Sequence, residues 1–335
     1  MKANLINGIS VDGVTRSKLS NVIPLDTPYT VVICPIYACN FKCTYCLHSL
    51  EEKDRPFISS KIAMGWSMYK KIIDEMKQFP NRLKILNFCG SGEPLLYSNI
   101  DKMIKYAFDS EVADTLEIVT NGVLLTKEMS DKLIDAGLTR LKISVQGLNS
   151  DSYKEFSNVD INFSKFIEQV KYFYENKGKT KLYVKILDVA LKDRSEKDFF
   201  DIFGNICDDI SVENLVPTLK EIDFNKQFKK DFNSTMNGCK LINPKVCPRP
   251  FFSMNIYPDG NYVPCCGVGF PTIIGNAEFD SIVDVWNSKK MKDFQRMQLK
   301  DNNKNKVCSN CNNYKYVIFK EDYLDDEAEE LLCKI

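Results

Sequence analysis

Apolar positions along this chain follow two alternating periods. Short runs rich in Leu, Ile and Val at residues 29–33, 83–88, 116–119, 141–145, 182–189 and 210–215 have strand length and composition. Between them the spacing becomes helical. Ser59 is placed to cap a helix over 59–79 with Ile62, Trp66, Tyr69, Ile72, Ile73, Met76 and Phe79 on one face. Ser98 opens a second helix with Ile100, Met103, Ile104, Ala107 and Phe108, and a third over 126–136 stops at Gly137. Helices over 163–174 and 195–206 complete the series. Six strands alternating with helices predict a parallel α/β sheet with right-handed crossovers, which periodicity alone leaves as either a partial barrel or an open doubly wound sheet.

The C-terminal third has a different pattern. Phe251 to Tyr257 and Tyr262 to Cys265 flank Pro258-Asp259-Gly260-Asn261, a β-hairpin signature. A helical stretch follows, with Ile282, Val285, Trp286, Met291, Phe294 and Met297. The division expected is an N-terminal extension 1–28, an α/β unit 29–216, a polar Lys- and Asn-rich linker 217–246, a cysteine-bearing module 247–320 and an acidic tail 321–335. The tail reads as a solvated helix or tail.

With 335 residues, 44% of them hydrophobic, the chain has enough apolar material for one large domain and a smaller module. Lys plus Arg and Asp plus Glu are 45 each, so no global field points to nucleic acid. No run is long enough to span a bilayer, and residues 1–8 lack an apolar signal core. A cytoplasmic location is the expectation. In a reducing compartment thirteen cysteines suggest metal ligands or reactive thiols rather than disulfides.

Cys39, Cys43 and Cys46 form a C-x3-C-x2-C loop directly after the first strand. Three thiolates are one ligand short of a closed four-ligand site, which points to a [4Fe-4S] cluster with one open iron; the alternative is zinc completed by His48, the only histidine. Parallel α/β folds place ligands at the carboxyl ends of their strands. There the chain carries Cys89-Gly90-Ser91-Gly92-Glu93-Pro94, Thr120-Asn121-Gly122 and Ser144-Val145-Gln146-Gly147. Glycines permit close backbone approach, while hydroxyl and amide side chains supply hydrogen bonds.

These motifs, in this order across Cys39 to Gly147, resemble the radical S-adenosylmethionine (radical SAM) superfamily. The resemblance implies a partial (β/α)6 barrel. It also implies that the open iron chelates the amino and carboxylate groups of SAM, and that a cluster electron cleaves the sulfonium to a 5'-deoxyadenosyl radical. Tyr45 would lie near adenine, Gly90, Ser91, Gly92, Glu93 and Pro94 would form the family's GGEP loop, and Asn121, Ser144 and Gln146 would contact SAM. Ser91 replaces the motif's first glycine, and Gln146 stands where relatives often have Asp.

Cys247, Cys265, Cys308 and Cys311 form a second group, able to close an all-thiolate site of zinc or iron-sulfur type. With Trp286-Asn287-Ser288, this part resembles the auxiliary-cluster module of SPASM/Twitch radical SAM enzymes. Residues 312–322 contain none of the further cysteines of the fuller SPASM pattern, so the shorter Twitch form with one auxiliary [4Fe-4S] cluster is expected.

The arrangement is similar to that of Twitch dehydrogenases acting on aminocyclitols. It implies oxidation of a sugar, cyclitol or related alcohol, with the auxiliary cluster accepting the second electron. A flavodoxin- or ferredoxin-type donor would supply the first. Lys185, Arg140, Arg194 and Arg249 are candidate substrate or proton-handling residues, although isolated cations more often belong to the solvated surface. A radical epimerase is the main rival, needing a thiol hydrogen donor outside both clusters. Cys34, Cys89, Cys207, Cys239, Cys266 and Cys333 are the spare cysteines, with Cys89 and Cys266 best placed. A maturase of ribosomal peptides and a non-enzymatic iron-sulfur or zinc regulatory module complete the alternatives. Anaerobically reconstituted protein is expected to contain iron and sulfide in equal amounts; zinc in their place, with no SAM cleavage, would select the regulatory module.

Overall fold

Ten strands form one sheet in a computed structural model that describes residues 1–6, 16–265 and 269–335. In chain order they are β1 (Asn4–Leu5), β2 (Thr30–Ile33), β3 (Leu83–Phe88), β4 (Ala113–Thr120), β5 (Arg140–Val145), β6 (Lys181–Leu187), β7 (Asp209–Glu213), β8 (Ser253–Ile256), β9 (Asn261–Val263) and β10 (Gly275–Asn276). Their order is β1-β7-β6-β5-β4-β3-β2-β8-β9-β10. Every pairing from β1 to β8 is parallel, whereas β9 and β10 are antiparallel additions, and the sheet does not close.

Side-chain alternation along the strands decides between barrel and doubly wound sheet. One face carries Val31, Ile33, Leu86, Phe88, Leu116, Ile118, Leu141, Ile143, Val184 and Ile186, and it packs on helices through Tyr69, Ile72, Ile104, Leu133, Phe166, Val170, Phe199 and Phe203. A doubly wound sheet would be equally apolar on its second face. Here that face holds Asn87, Glu117, Arg140, Lys142, Tyr183, Lys185, Ser211 and Glu213, as the inside of a partial barrel with a polar chamber requires.

The expected helices form, with adjusted ends. Thr126 and Asn162 cap Lys127–Asp135 and Phe163–Asn176, and Ser195 closes a capping box on Glu196–Phe203. Gly137 adopts φ +87° after the first of these. The first helix begins at Trp66 rather than Ser59. Residues before it are held extended against the cysteine loop: Ile36 bridges Ala63, and the Met64 N–H donates to the Pro35 carbonyl. Likewise the helical stretch after residue 282 is two helices, Ile282–Asn287 and Lys289–Asp301. Ser288 is extended between them, and its hydroxyl caps the second by accepting from the Met291 N–H.

Two terminal segments contribute more than their composition suggested. The N-terminal extension supplies β1, which pairs with β7. The acidic segment, expected to be solvated, is docked instead. Leu324, Leu331 and Ile335 are buried with Leu19, Ile23, Val246, Phe251 and Leu299, and Asp325 accepts from the Lys245 and Val246 N–H groups. Its apolar minority supplies the driving force, while its carboxylates face solvent or partners such as Arg16, which pairs with Asp322 at 2.6 Å.

Gly92 marks the tightest approach between strand-end loops: a Cβ there would lie 1.9 Å from the Ile36 carbonyl oxygen and 2.8 Å from that of Ala38. Gly92→Ala is therefore expected to destabilise the protein by about 1–3 kcal/mol, as overpacking does, and to impair iron retention, read by denaturant unfolding and iron analysis. Leu331→Ala should cost about 2–5 kcal/mol while leaving iron content unchanged.

Candidate functional site

The cysteine loop leaves the end of β2 and is fixed from two sides. On one side the Glu93 N–H donates to the Ala38 carbonyl at 2.8 Å. On the other lies a helix absent from the sequence reading, Ser150–Ser157. Backbone carbonyls at its end, Phe156 and Ser157, accept from the Thr44 and Lys42 N–H groups at 3.0 Å, and the Ser157 hydroxyl lies 3.2 Å from Cys43 Sγ. Asn149 caps this helix and Tyr153 and Phe156 bury its inner side. An Asn three residues before Ser152, followed by two aromatics at helical spacing, was its available signal.

Cys39, Cys43 and Cys46 line one cavity of about 420 Å³ at the carboxyl ends of the strands, within the ~300–1,000 Å³ range of small-molecule sites. Tyr45, Gly90, Ser91, Gly92, Glu93, Asn121, Ser144, Gln146 and Cys89 line the same cavity. Pro94 does not; it begins the 3-10 turn Pro94–Leu96 and is buried there with Leu95. Two further lining residues, Asn255 and Tyr257, come from β8 and its exit and escaped the sequence reading. They reach the cavity because β8 pairs with β2 in parallel, matching Asn255 to Val32. The phenol of Tyr257 is within hydrogen-bonding reach of Asn255 and Ser91. The departure from glycine at position 91 thus ties this loop to the C-terminal hairpin.

Hydrogen bonds distinguish framework from open groups. The Glu93 carboxylate accepts from the Leu95 N–H, the Thr120 hydroxyl and the Asn121 N–H at 3.0, 2.6 and 2.8 Å. Burial raises its pKa against those donors. Its side chain is committed to joining the loops at this point. Gln146 accepts from Tyr45 at 3.1 Å and donates to the Ser144 carbonyl at 3.0 Å. Asn121 donates to Asn40 at 2.8 Å. His48 Nε2 lies 2.8 Å from the Ser91 carbonyl, and burial lowers its pKa, which gives it a local structural bond.

The second cysteine group surrounds a separate cavity of about 120 Å³, lined by Cys247, Cys265, Cys308 and Cys311. Thr218, Lys220 and Glu221 of the linker also line it. Consecutive residues Pro56 and Phe57 line the second and first cavities respectively, so the two are neighbours. Phe57 stacks on Phe270 at 4.5 Å and meets Tyr257 at 5.3 Å, forming an aromatic partition.

The donor sets fit iron-sulfur clusters. None of the described cysteines is in a disulfide. Burial pushes the Cys39 and Cys43 thiols up to about 12, Cys308 to about 11, and raises Cys46 and Cys247. A buried thiolate needs a metal to compensate its charge, and cluster binding would release these protons. Among the described residues no three His, Cys, Asp or Glu side chains converge on a single-ion site. Three thiols line the first cavity and four line the second. Cys39, Cys43 and Cys46 would hold the first cluster, and Cys247, Cys265, Cys308 and Cys311 the second.

The remaining candidates disperse. Lys185 pairs with Glu213 at 2.6 Å and is the register partner of cavity-lining Ser144, one strand further from the cysteine loop. Arg140, expected on the surface, is buried with Lys142 against Glu117, at 3.2 and 2.9 Å. It points into the polar side of the sheet, where solvation is replaced by the carboxylate. Arg194 lies 3.7 Å from Asp198, both side chains exposed, and Arg249 donates to the Val317 carbonyl at 3.2 Å. Cys34 and Cys207 are buried, and Cys239 and Cys333 exposed. Cys266 lies outside the described residues.

Residues 33–205 match the radical SAM superfamily, and residues 247–312 match the SPASM iron-sulfur cluster-binding domain. The GTP 3',8-cyclase of Aliarcobacter butzleri is 33% identical over 165 residues, 49% of this chain and 47% of that protein. A probable GTP 3',8-cyclase of Methanococcus vannielii is 32% identical over 189 residues, 54% and 58% of the two chains. The chain thus spans about half the length of the curated relatives it matches. Among solved structures, BtrN in complex with AdoMet and 2-DOIA is 19% identical with a TM-score of 0.58, over 88% of this chain and 97% of BtrN. Streptococcus suis SuiB bound to precursor peptide SuiA is 20% identical with a TM-score of 0.62, over 93% and 78%. These two likenesses concern the fold. Among the described residues no helix is long and apolar enough to cross a membrane. With its family match over more than half the chain, this protein belongs to the radical SAM superfamily and carries a C-terminal SPASM domain, with the [4Fe-4S] cluster, SAM and auxiliary iron-sulfur cluster that the two domains imply.

Proposed function

We propose that this radical SAM enzyme oxidises a polar, uncharged alcohol such as a sugar or cyclitol to the carbonyl compound. The observation that carries the reading is the adjacency of the cysteine-lined SAM cavity and a second cavity with four thiols of its own. Reductive cleavage of SAM supplies the hydrogen-abstracting radical. The substrate carbinol would lose one hydrogen atom, a hydroxyl proton and one electron, and the auxiliary cluster, which Cys247, Cys265, Cys308 and Cys311 would hold, would supply the electron acceptor. A flavodoxin- or ferredoxin-type protein would supply the electron that cleaves SAM.

The chain's own residues set the chamber. Cys39, Cys43, Cys46, Gly90 to Gly92, Ser144, Gln146, Asn255 and Tyr257 line it, and Tyr257 packs on Phe57 and Phe270. Asn255 is buried, and its Oδ1 has no protein partner. It is suited to accept a substrate hydroxyl. Lys185 and Glu213, paired beyond Ser144, extend the polar wall and offer both a donor and an acceptor.

Charge favours a neutral polyol over a nucleoside triphosphate. A triphosphate requires a surplus of Arg or Lys. On the polar side of the sheet Arg140 and Lys142 pair with Glu117, and Lys185 pairs with Glu213, so these three cations are already engaged. The similarity to GTP 3',8-cyclases is confined to about half of each protein. Epimerisation is the second reading, because Cys89 lines the SAM cavity.

Reduced, reconstituted protein should form 5'-deoxyadenosine faster with a polyol alcohol than with GTP or a peptide, and the product should lack two hydrogens. Cys308→Ala should retain SAM cleavage while losing the two-electron product. GTP as the preferred stimulant would overturn the reading. Solvent deuterium retained at the product carbon, and its loss in Cys89→Ala, would select epimerisation.

A further inference from the structure

Phe294 and Gln298 lie one turn apart on Lys289–Asp301, and both line the cavity ringed by Cys247, Cys265, Cys308 and Cys311. Ser288 begins that helix, and Trp286 just before it donates to the Leu25 carbonyl at 2.8 Å, so Gln298 is carried by a rigid, anchored element. Gln298 is only 1% exposed. Its Nε2 lies 3.3 Å from Cys308 Sγ, and its Oε1 has no protein hydrogen-bond partner.

A buried amide with one unpartnered end is destabilising, and an apolar side chain of similar size would remove that penalty. Gln295, one residue short of a turn away, spends its amide on the Pro250 carbonyl at 2.9 Å. Gln298 aims its donor at a sulfur instead. Hydrogen bonds to cluster sulfurs are among the protein's means of setting reduction potential. They stabilise the reduced state more, because it carries the additional negative charge.

We propose that Gln298 tunes the auxiliary cluster, donating its amide N–H to the Cys308 sulfur and raising the cluster's potential so that it favours accepting an electron. This rests on the reading of Cys308 as an auxiliary ligand and of the second site as the electron acceptor. Reduction adds one electron to the cluster and leaves Cys308 ligated, with no proton required. Gln298 is a positioning and tuning residue rather than a catalytic one.

The test uses the full chain with Cys39, Cys43 and Cys46 replaced by Ala, so that only the auxiliary centre is titrated. In Gln298→Leu, with iron and sulfide content unchanged, the reduced-to-oxidised ratio at a fixed ambient potential should fall about tenfold, equivalent to about 59 mV for a one-electron couple. Gln298→Asn, whose amide is one methylene shorter, should shift in the same direction. Pulsed electron paramagnetic resonance of the Gln298 protein should show an exchangeable proton coupling to the reduced cluster, lost on transfer to deuterium oxide. If Gln298→Leu fails to retain iron, the Asn variant and the coupling decide. Unchanged potentials in iron-replete variants, or no exchangeable coupling in the Gln298 protein, would overturn the assignment. Failure to oxidise any alcohol would leave a measured shift intact, whereas an unchanged potential would leave alcohol oxidation standing.

Discussion

The Glu93 carboxylate is the fastener on which the N-terminal cysteine loop and its neighbouring strand ends depend. Its two oxygens take a hydroxyl and two backbone N–H groups from the ends of β3 and β4, while its own N–H holds the cysteine loop through Ala38. Three loops that begin on different strands are thereby joined at one buried point. A buried carboxylate is tolerated because its donors compensate for lost hydration. Gly92 makes the junction sterically possible, since any side chain there would occupy the space of the Ile36 carbonyl.

Pairing of β8 with β2 has the corresponding role in the other half. It makes the hairpin an extension of the parallel sheet rather than an appended module, and it brings Asn255 and Tyr257 to the cavity lined by Cys39, Cys43 and Cys46. Tyr257 then meets Ser91, while Phe57 and Phe270 complete the partition toward the second cavity. The linker closes over this region through buried Leu219, Ile222 and Phe224, packed with Tyr37, Leu47 and Phe57. Two cysteine-lined cavities become neighbours through ordinary sheet pairing and apolar packing.

The polar face of the sheet shows how burial and chemistry are separated. Strands such as Arg140–Val145 alternate Arg140, Lys142 and Ser144 with Leu141, Ile143 and Val145. The apolar set binds helices, and the polar set forms a chamber in which Glu117 and Glu213 satisfy the cations. Removing one member of such a group would leave an uncompensated buried charge. The alternation was visible in the sequence, yet only a helix layer confined to one face identifies which set faces the chamber.

Local rules sufficed for the six central strands, most helices, the hairpin and both cysteine groups, because these rest on periodicity, capping residues and the valence of thiolate sites. The cofactor loop was legible for the same reason: each motif sits at a strand end where a parallel sheet must place it. Long-range pairings were beyond those rules. The helix Ser150–Ser157 gains its importance from carbonyls offered to Lys42 and Thr44 more than a hundred residues earlier, and the acidic terminus docks through Leu324, Leu331 and Ile335 against residues from both ends of the chain. Asn255, Tyr257 and Gln298 carry no motif. Sequence by itself determined where the two cysteine groups and most of the elements lie, since those properties reside in neighbouring residues. Only tertiary structure decided which polar groups line the two cavities, because strand register and helix packing join positions that the chain keeps far apart.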